Sequence, residues 1–483
     1  MTKTLPAIQA DAPPVVRDYR LIALIIASAL FMENLDATVL TTALPTLARD
    51  FGVTPPAVSV TVTAYLLALA VFVPVSGYMA DRFGARNVFR SAILIFMAGS
   101  LVCALAPSLL TIAVARFVQG MGGAMMVPVG RLVLLRSVEK NEFVASQAWL
   151  LMPGLLGTIL GPPVGGFIVT FLDWRWIFWI NLPIGAVGIY LIGRFIPELR
   201  SSTSRRFDGT GFVVSGLALS ALMFGFELAG PAHEPHLGWP LILLGAVMVV
   251  VYLWHSSRSS DPILDLSLLR IPTFRLAMIG GSLTRITQGA QPYLLSLMMQ
   301  LGFGFTAFQS GAITLATALG TFAMKSQVVR ILRHLGFRNG LVLMGLLGGC
   351  TYAACGFFQP GWPVSAMFCV LVLAGFFMSF QFTAYNTIAY DEIPADRMSS
   401  ATSFYSTFQQ LTLSLGICTA ATVLQLMAAR EGSEDPDFTD FSLAFWVVTG
   451  ISLCSFFANI RFHPQAGAEL ARRSANASST PAG

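Results

Sequence analysis

Long apolar stretches alternate with short polar connections from residue 20 to residue 462. Each stretch is roughly 20 residues or more, the length a helix needs to cross the hydrocarbon core of a bilayer. We place fourteen spans, at 20–44, 57–80, 88–106, 109–131, 143–171, 176–197, 209–229, 238–256, 274–300, 306–330, 339–358, 363–389, 401–428 and 441–462. Backbone polar groups in hydrocarbon must find internal partners, so such segments are helices or strands of a closed barrel. These runs are too long and too evenly apolar for barrel strands, whose faces alternate. The predicted fold class is an all-α polytopic membrane protein. No soluble domain fits between the spans. The connection 257–273, with an interrupted apolar pattern from Asp261 to Leu269, predicts a short helix lying at the membrane interface.

Charge then fixes the threading. Of the 29 Lys and Arg residues, Arg49, Arg175 and Arg430 fall on connections at one face, and Arg116, Arg285 and Lys325 fall inside spans. All the rest gather at the other face. Basic residues are retained on the cytoplasmic side, so both termini are predicted there, in a cell inner membrane. Tails cover 1–19 and 463–483. Residues 1–20 are polar and proline-containing, which predicts that the first span is retained and not cleaved as a leader.

With 55% hydrophobic and 11% charged residues and a mean hydropathy of +0.71, the chain is expected to be solvated by lipid. The net charge of +5 sits on membrane-face loops and sets orientation, so no nucleic-acid partner is expected. The six cysteines lie in apolar spans without metal or disulfide spacing, and none of the five histidines pairs with Cys or acids as a metal site requires. No phosphate-binding Gly-x-x-x-x-Gly-Lys-Ser/Thr loop is present. We therefore expect no enzyme, no metal and no cofactor. The expected partners are a small-molecule substrate, protons and the lipid bilayer, with the chain a monomer.

An internal repeat divides the spans. Gly77, Asp81, Arg82, Gly84 and Arg86 follow the second span, and a degraded copy, Arg333 to Arg338, follows the tenth. An offset of eight predicts two six-helix bundles, 20–197 and 274–462, with an inserted pair at 209–256. Repeated bundles around a central site are the architecture of secondary transporters.

The Gly77–Arg86 loop resembles the loop signature of the major facilitator superfamily, in which the acid and arginines make and break a charge cluster as the bundles rock. In the second copy Arg333 replaces the acid. Arg116, Gln119, Gly120, Gly122 and Gly123 in span four resemble the buried-arginine motif of proton-coupled exporters in that superfamily. In span five, Gly157, Gly161 and Gly165 repeat every four residues beside Pro162, stripping one helix face so that another helix can approach. This stretch is similar to the antiporter motif of drug exporters. Phe31 to Pro45 and Asp173 to Pro183 resemble the fourteen-span drug:H+ antiporter-2 family. That resemblance implies efflux across the inner membrane driven by proton influx.

Candidate residues follow. Asp36 and Arg116 lie roughly 12 Å and 10 Å below the outer ends of their spans at 1.5 Å per residue, so they share a depth and predict a pair. Asp36 matches the family's span-one acid and is the expected coupling residue, with Glu33, three positions earlier, supporting it. Arg285 sits near the midplane of span nine, with Gln288 and Gln291 adding polarity. Its charge predicts contact with an anionic or carboxylate-bearing substrate. Tyr293, Tyr385 and Asn386 are further candidates for lining the cavity. Two rival readings stand beside multidrug efflux: export of organic anions or iron-citrate by the same fold, and a non-transporting membrane sensor or scaffold.

Overall fold

The computed structural model describes residues 19–137, 143–196, 207–229, 235–259, 261–394, 397–431 and 436–467. Every regular element among them is helical. Helices α1 (Tyr19–Phe51), α2 (Val60–Phe72), α3 (Ser76–Phe83), α4 (Ala85–Ala104), α5 (Leu109–Ser137), α6 (Phe143–Phe171), α7 (Trp176–Trp179) and α8 (Asn181–Phe195) form the first half. Helices α9 (Gly209–Leu228) and α10 (Pro235–Arg258) form a hairpin. The second half comprises α11 (Pro272–Leu297), α12 (Ala307–Cys355), α13 (Val364–Ile388), α14 (Met398–Glu431), α15 (Phe438–Leu453) and α16 (Ser455–Asn459).

Twelve helical stretches among the described residues are long and apolar enough to cross a membrane. One of them, α12, is 49 residues long and turns sharply at Gly336, where φ is 70° and ψ 175°. Helix α11 spans 26 residues but carries Arg275 and Arg285, and much of it is buried between other helices. Some expected spans are interrupted. The second divides at Pro74 into α2 and α3, and the sixth divides between α7 and α8. The expected interfacial helix is a single 3-10 turn, Leu266–Arg270.

Packing places the halves in register. Helix α1 packs along α6, and α4 along α5; in the second half α11 packs along α14 and α12 along α13. The halves meet at two seams, α6 against α12 and α2 against α14. Close approach at the first seam depends on glycine. A Cβ on Gly166 would lie 2.4 Å from the Ala307 carbonyl oxygen, and one on Gly311 would lie 2.2 Å from that of Pro162. Helix α9 covers the second seam, with Met223 packed among Leu67, Val71 and Leu411.

The apolar core is continuous at one end and divided at the other. At the end bearing Asp50 and Arg175, one cluster joins Leu44 and Phe178 of the first half to Leu297, Phe358 and Phe441 of the second. Trp174 caps it, donating from Nε1 to Asp50 Oδ2 at 2.9 Å. At the basic end each half keeps its own core, around Phe89 and Phe96 in one and around Phe274 and Phe380 in the other. The molecule is thus sealed across the Asp50 end and parted at the basic end.

Polar ties anchor the hairpin at the basic end. Asp208 caps α9 through the Gly211 amide at 2.8 Å, faces His255 Nε2 at 2.8 Å and accepts from the Ile263 amide at 3.2 Å. Asp265 then pairs with Arg397, Nη2 to Oδ2 2.6 Å, at the start of α14. Partial burial opposes the charged form of Asp265. The hydrogen bonds from Ser267 and Arg397 outweigh it and hold the carboxyl below its ordinary range.

Candidate functional site

Asp36 is buried inside the first half, where α5 and α8 aim polar groups at it. Arg116 Nη1 on α5 meets Asp36 Oδ2 at 2.5 Å and also donates to Gln119 Oε1 at 2.6 Å. Gln119 Nε2 and Asn181 Nδ2 donate to Asp36 Oδ1 at 2.9 and 2.7 Å. Asn181 on α8 also donates to Ser100 Oγ on α4 at 2.9 Å, and Ser100 donates to the Phe178 carbonyl at 3.1 Å. The remaining faces of the guanidinium are used too. Arg116 Nε donates to the Thr61 carbonyl at 3.3 Å, and its Cζ lies 4.4 Å from the centroid of the Tyr65 ring. A buried ion pair costs desolvation of both charges and is stable only when its remaining lone pairs and protons are satisfied. Here Gln119 and Asn181 provide that satisfaction.

Glu33 lies on the same helix but faces elsewhere. It lines a cavity of about 790 Å³ that opens between the halves toward the basic end, together with Arg131, Asn386, Tyr390, Gln409 and Gln410. Its Oε2 has no hydrogen-bond partner among the described residues. Above this vestibule, toward the sealed end, a second cavity of about 230 Å³ shares Leu155 and Thr158 with it. That apex lies between α1, α6, α11, α12 and α13, and Gln291 lines it.

The other sequence-derived candidates fall in different places. Arg285 is 2% exposed and lines neither cavity. Its Nη2 donates to Tyr405 Oη at 2.7 Å, and its guanidinium stands 4.6 Å from the Tyr405 ring and 6.0 Å from that of Phe382. No carboxylate pairs with it among the described residues. In this state Arg285 lies in an aromatic enclosure one layer behind the vestibule wall. Tyr385 is turned into its own half, donating to Asn459 Oδ1 at 2.6 Å, and Tyr293 is buried in the sealed core. Gln288 is half-buried outside both cavities. Asn386 reaches the vestibule.

The gating-loop residues sit at the basic end. Gly77 and Asp81 lie on α3, and Arg82 Nη1 donates to Tyr78 Oη at 3.1 Å. Gly84 separates α3 from α4 with φ 89°, a left-handed conformation that favours glycine. Arg86 begins the climb of α4. Gly336 in the degraded copy has φ 70°, so both repeats turn on a left-handed glycine. In the antiporter motif, a Cβ on Gly157 would lie 2.7 Å from the Phe31 carbonyl, and one on Gly161 would lie 1.8 Å from Thr38 Oγ1. One on Gly165 would lie 2.4 Å from Thr42 Oγ1. The stripe is the surface on which α6 lies against α1, with Pro162 at its contact with α12.

A family model described as Major Facilitator Superfamily matches residues 26–417. The chain belongs to the major facilitator superfamily. Among its relatives is the "Putative multidrug resistance protein MdtD" of Escherichia coli O6:H1, 34% identical over 438 residues that cover 90% of this chain and 92% of that protein. The protein of the same name from Salmonella paratyphi A is 34% identical over 459 residues, 93% of this chain and 96% of its own length. Solved structures share the fold at low identity. The D-xylose-proton symporter superposes with TM-score 0.66 at 14% identity over 92% of this chain and 98% of its own. The human organic anion transporter MFSD10 superposes with TM-score 0.60 at 16% identity over 93% and 100%.

Three residues of the buried network were not singled out as site residues from sequence. Gln119 lies three positions after Arg116 and Asn181 lies within the Asp173–Pro183 stretch, so both fall within resembling motifs. Ser100 carries no sequence signal, because a lone serine in an apolar span is commonplace.

Proposed function

We propose that this chain is a proton-coupled exporter of small molecules of the multidrug type, working by alternating access in a bacterial inner membrane with both termini cytoplasmic. Counting α12 as two crossings at Gly336, and α11 as a buried crossing, gives fourteen spans in two six-helix bundles with α9–α10 inserted between them. The basic end then faces the cytoplasm, as the placement of Lys and Arg requires, and the state described is open inward.

The observation that carries this reading is the division of labour between two carboxylates on α1. Asp36 is fully engaged by Arg116, Gln119 and Asn181, whereas Glu33 faces the vestibule with an unpartnered oxygen. Glu33 is the group from which a proton leaves to the cytoplasm while cargo loads. When the halves rock to open the Asp50 end, the same carboxylate takes a proton from outside. The Asp36–Arg116 network ties α1 to α4, α5 and α8 so that the bundle moves as a body. The Gly157, Gly161 and Gly165 face and the Gly84 turn permit that movement. Asn386 contributes to the vestibule wall that cargo passes.

The test is dye transport in inside-out vesicles under an imposed pH gradient. Uptake that follows the gradient and collapses with an ionophore supports the reading; uptake indifferent to the gradient removes it. The resemblance to transporters over most of the chain favours neither a sensor nor a scaffold.

A further inference from the structure

The apex cavity is built almost entirely from groups that have nothing left to donate. Thr38, Thr41 and Thr42 of α1 donate their hydroxyl hydrogens to backbone carbonyls of their own helix. Thr314 does the same on α12, and Thr321 donates to the Gly375 carbonyl. The rest of the lining is chiefly apolar, including Ala37, Ile159, Leu295, Ala318 and Phe322. Ser296 Oγ accepts from Gln300 Nε2 at 3.0 Å, and two other side chains have no hydrogen-bond partner among the described residues. Gln291 is 1% exposed, and neither its amide nitrogen nor its amide oxygen has a partner among the described residues. Thr317 Oγ1, on the facing helix, is likewise buried and unpartnered.

A primary amide presents a donor and an acceptor side by side. Buried polar groups in folded proteins are overwhelmingly partnered, and those left open mark a place for an absent partner. We propose that the apex holds a largely apolar cargo through one amide-like edge, an N–H and a C=O on adjacent atoms, paired with the Gln291 side chain and supported by Thr317. This rests on the exporter reading and narrows it to a chemical class. The apolar wall takes the hydrocarbon portion without specificity, while Gln291 selects for primary amides and lactams, whose N–H and C=O lie on one side, over esters, lactones or ethers of the same shape. A site built to satisfy a hydrogen-bonding edge discriminates strongly against an isostere that leaves its own buried groups unpaired.

The test uses a matched pair, a radiolabelled lactam, 6-hexylpiperidin-2-one, as the amide and the corresponding lactone, 6-hexyloxan-2-one, as the ester, bound at equilibrium to the purified full chain in lipid nanodiscs with no pH gradient; the ring holds the lactam N–H and C=O on one side. The expected result is that wild type binds the amide about tenfold more tightly than the ester, that Gln291→Leu abolishes the preference while retaining ester binding, and that Thr317→Val reduces the preference in part. Thr317→Val keeps the test open if Gln291→Leu does not fold. Equal affinity of wild type for the two probes overturns the proposal, as does a preference that survives Gln291→Leu, or Thr317→Val where that is the variant that folds. Because the measurement needs no driving force, its failure is distinct from loss of gradient-driven dye uptake, which would sink the exporter reading instead.

Discussion

Glu33 and Asp36 stand one helical turn apart on α1, and their carboxylates face opposite environments. Asp36 is held by Arg116 at 2.5 Å and by two side-chain amides within the first half, while Glu33 lines the vestibule between the halves and its Oε2 is buried without a hydrogen-bond partner among the described residues. A spacing of three residues leaves the two side chains about 60° apart around the helix axis, so one acid meets the packed face and the other the adjoining cavity edge. In the proposed mechanism the pair separates a structural charge, Asp36, from an exchangeable one, Glu33.

Replacing Asp36 with Asn keeps the size but leaves the Arg116 guanidinium without its counter-charge in a buried position. Breaking a buried pair from one side costs about 3–5 kcal/mol. Asp36→Asn should lower the thermal unfolding temperature of the detergent-solubilised protein markedly, and adding Arg116→Gln should restore part of the loss. Strictly additive losses in the double variant would show that the two side chains do not act as a pair.

At the α1–α6 contact, Gly161→Ala places a Cβ against Thr38 Oγ1, where 1.8 Å is available. The helices must part, at a cost of about 1–3 kcal/mol, and transport should fall steeply while membrane insertion persists. Thr38→Ser removes only a methyl and should not help, whereas Thr38→Ala removes the Oγ1 clash but leaves the Cβ 2.6 Å away, so it should recover part of the transport of Gly161→Ala. Failure of Thr38→Ala to recover any activity would place the defect elsewhere.

Arg285 is enclosed by Tyr405 and Phe382 and does not reach the vestibule. Arg285→Gln should therefore depress transport of citrate and of a cationic dye alike, and its effect should be non-additive with that of Tyr405→Phe. A selective loss of citrate transport would return Arg285 to direct contact with an anionic cargo.

The Asp265–Arg397 tie supplies a pH dependence outside the membrane. The Asp265 carboxyl is held below its ordinary range in the folded chain. Its contribution is thus fully present above the unfolded value near 3.9 and is lost as pH falls through the lower folded value. Both partners are partly exposed, so Asp265→Asn should cost about 1 kcal/mol or less at pH 7. The difference between wild type and variant in denaturant unfolding should shrink as pH drops below about 4. A difference that grows in acid would contradict the assignment.

Much of this was legible in the chain because the bilayer imposes a coarse code. Apolar run length gave helices, and basic residues gave one polar face, since both follow from solvation rather than from detailed packing. The Asp36–Arg116 pair was legible for the same reason: two charges at one depth in hydrocarbon need each other. For Arg285 the sequence reads the depth but not the surroundings. Its position near the midplane was evident, but whether a guanidinium points into a cavity or into a ring enclosure depends on residues 120 positions away, at Tyr405. The differing surroundings of Glu33 and Asp36 depend on the rotation of α1 against α5 and α6, which no local pattern fixes. The break of span two at Pro74 left a signal in the proline, whereas the interfacial turn at Leu266–Arg270 was shortened by Asp265 capping one end and Pro272 opening the next helix.

The most direct measurement compares wild type with Glu33→Gln in proteoliposomes carrying a cationic dye, first under an imposed pH gradient and then in gradient-free counterflow. An amide cannot exchange a proton as a carboxyl does. The account predicts that wild type concentrates dye with the gradient, and that Glu33→Gln loses this concentration while still exchanging labelled for unlabelled dye in counterflow. Gradient-driven concentration by Glu33→Gln at the wild-type rate would contradict it.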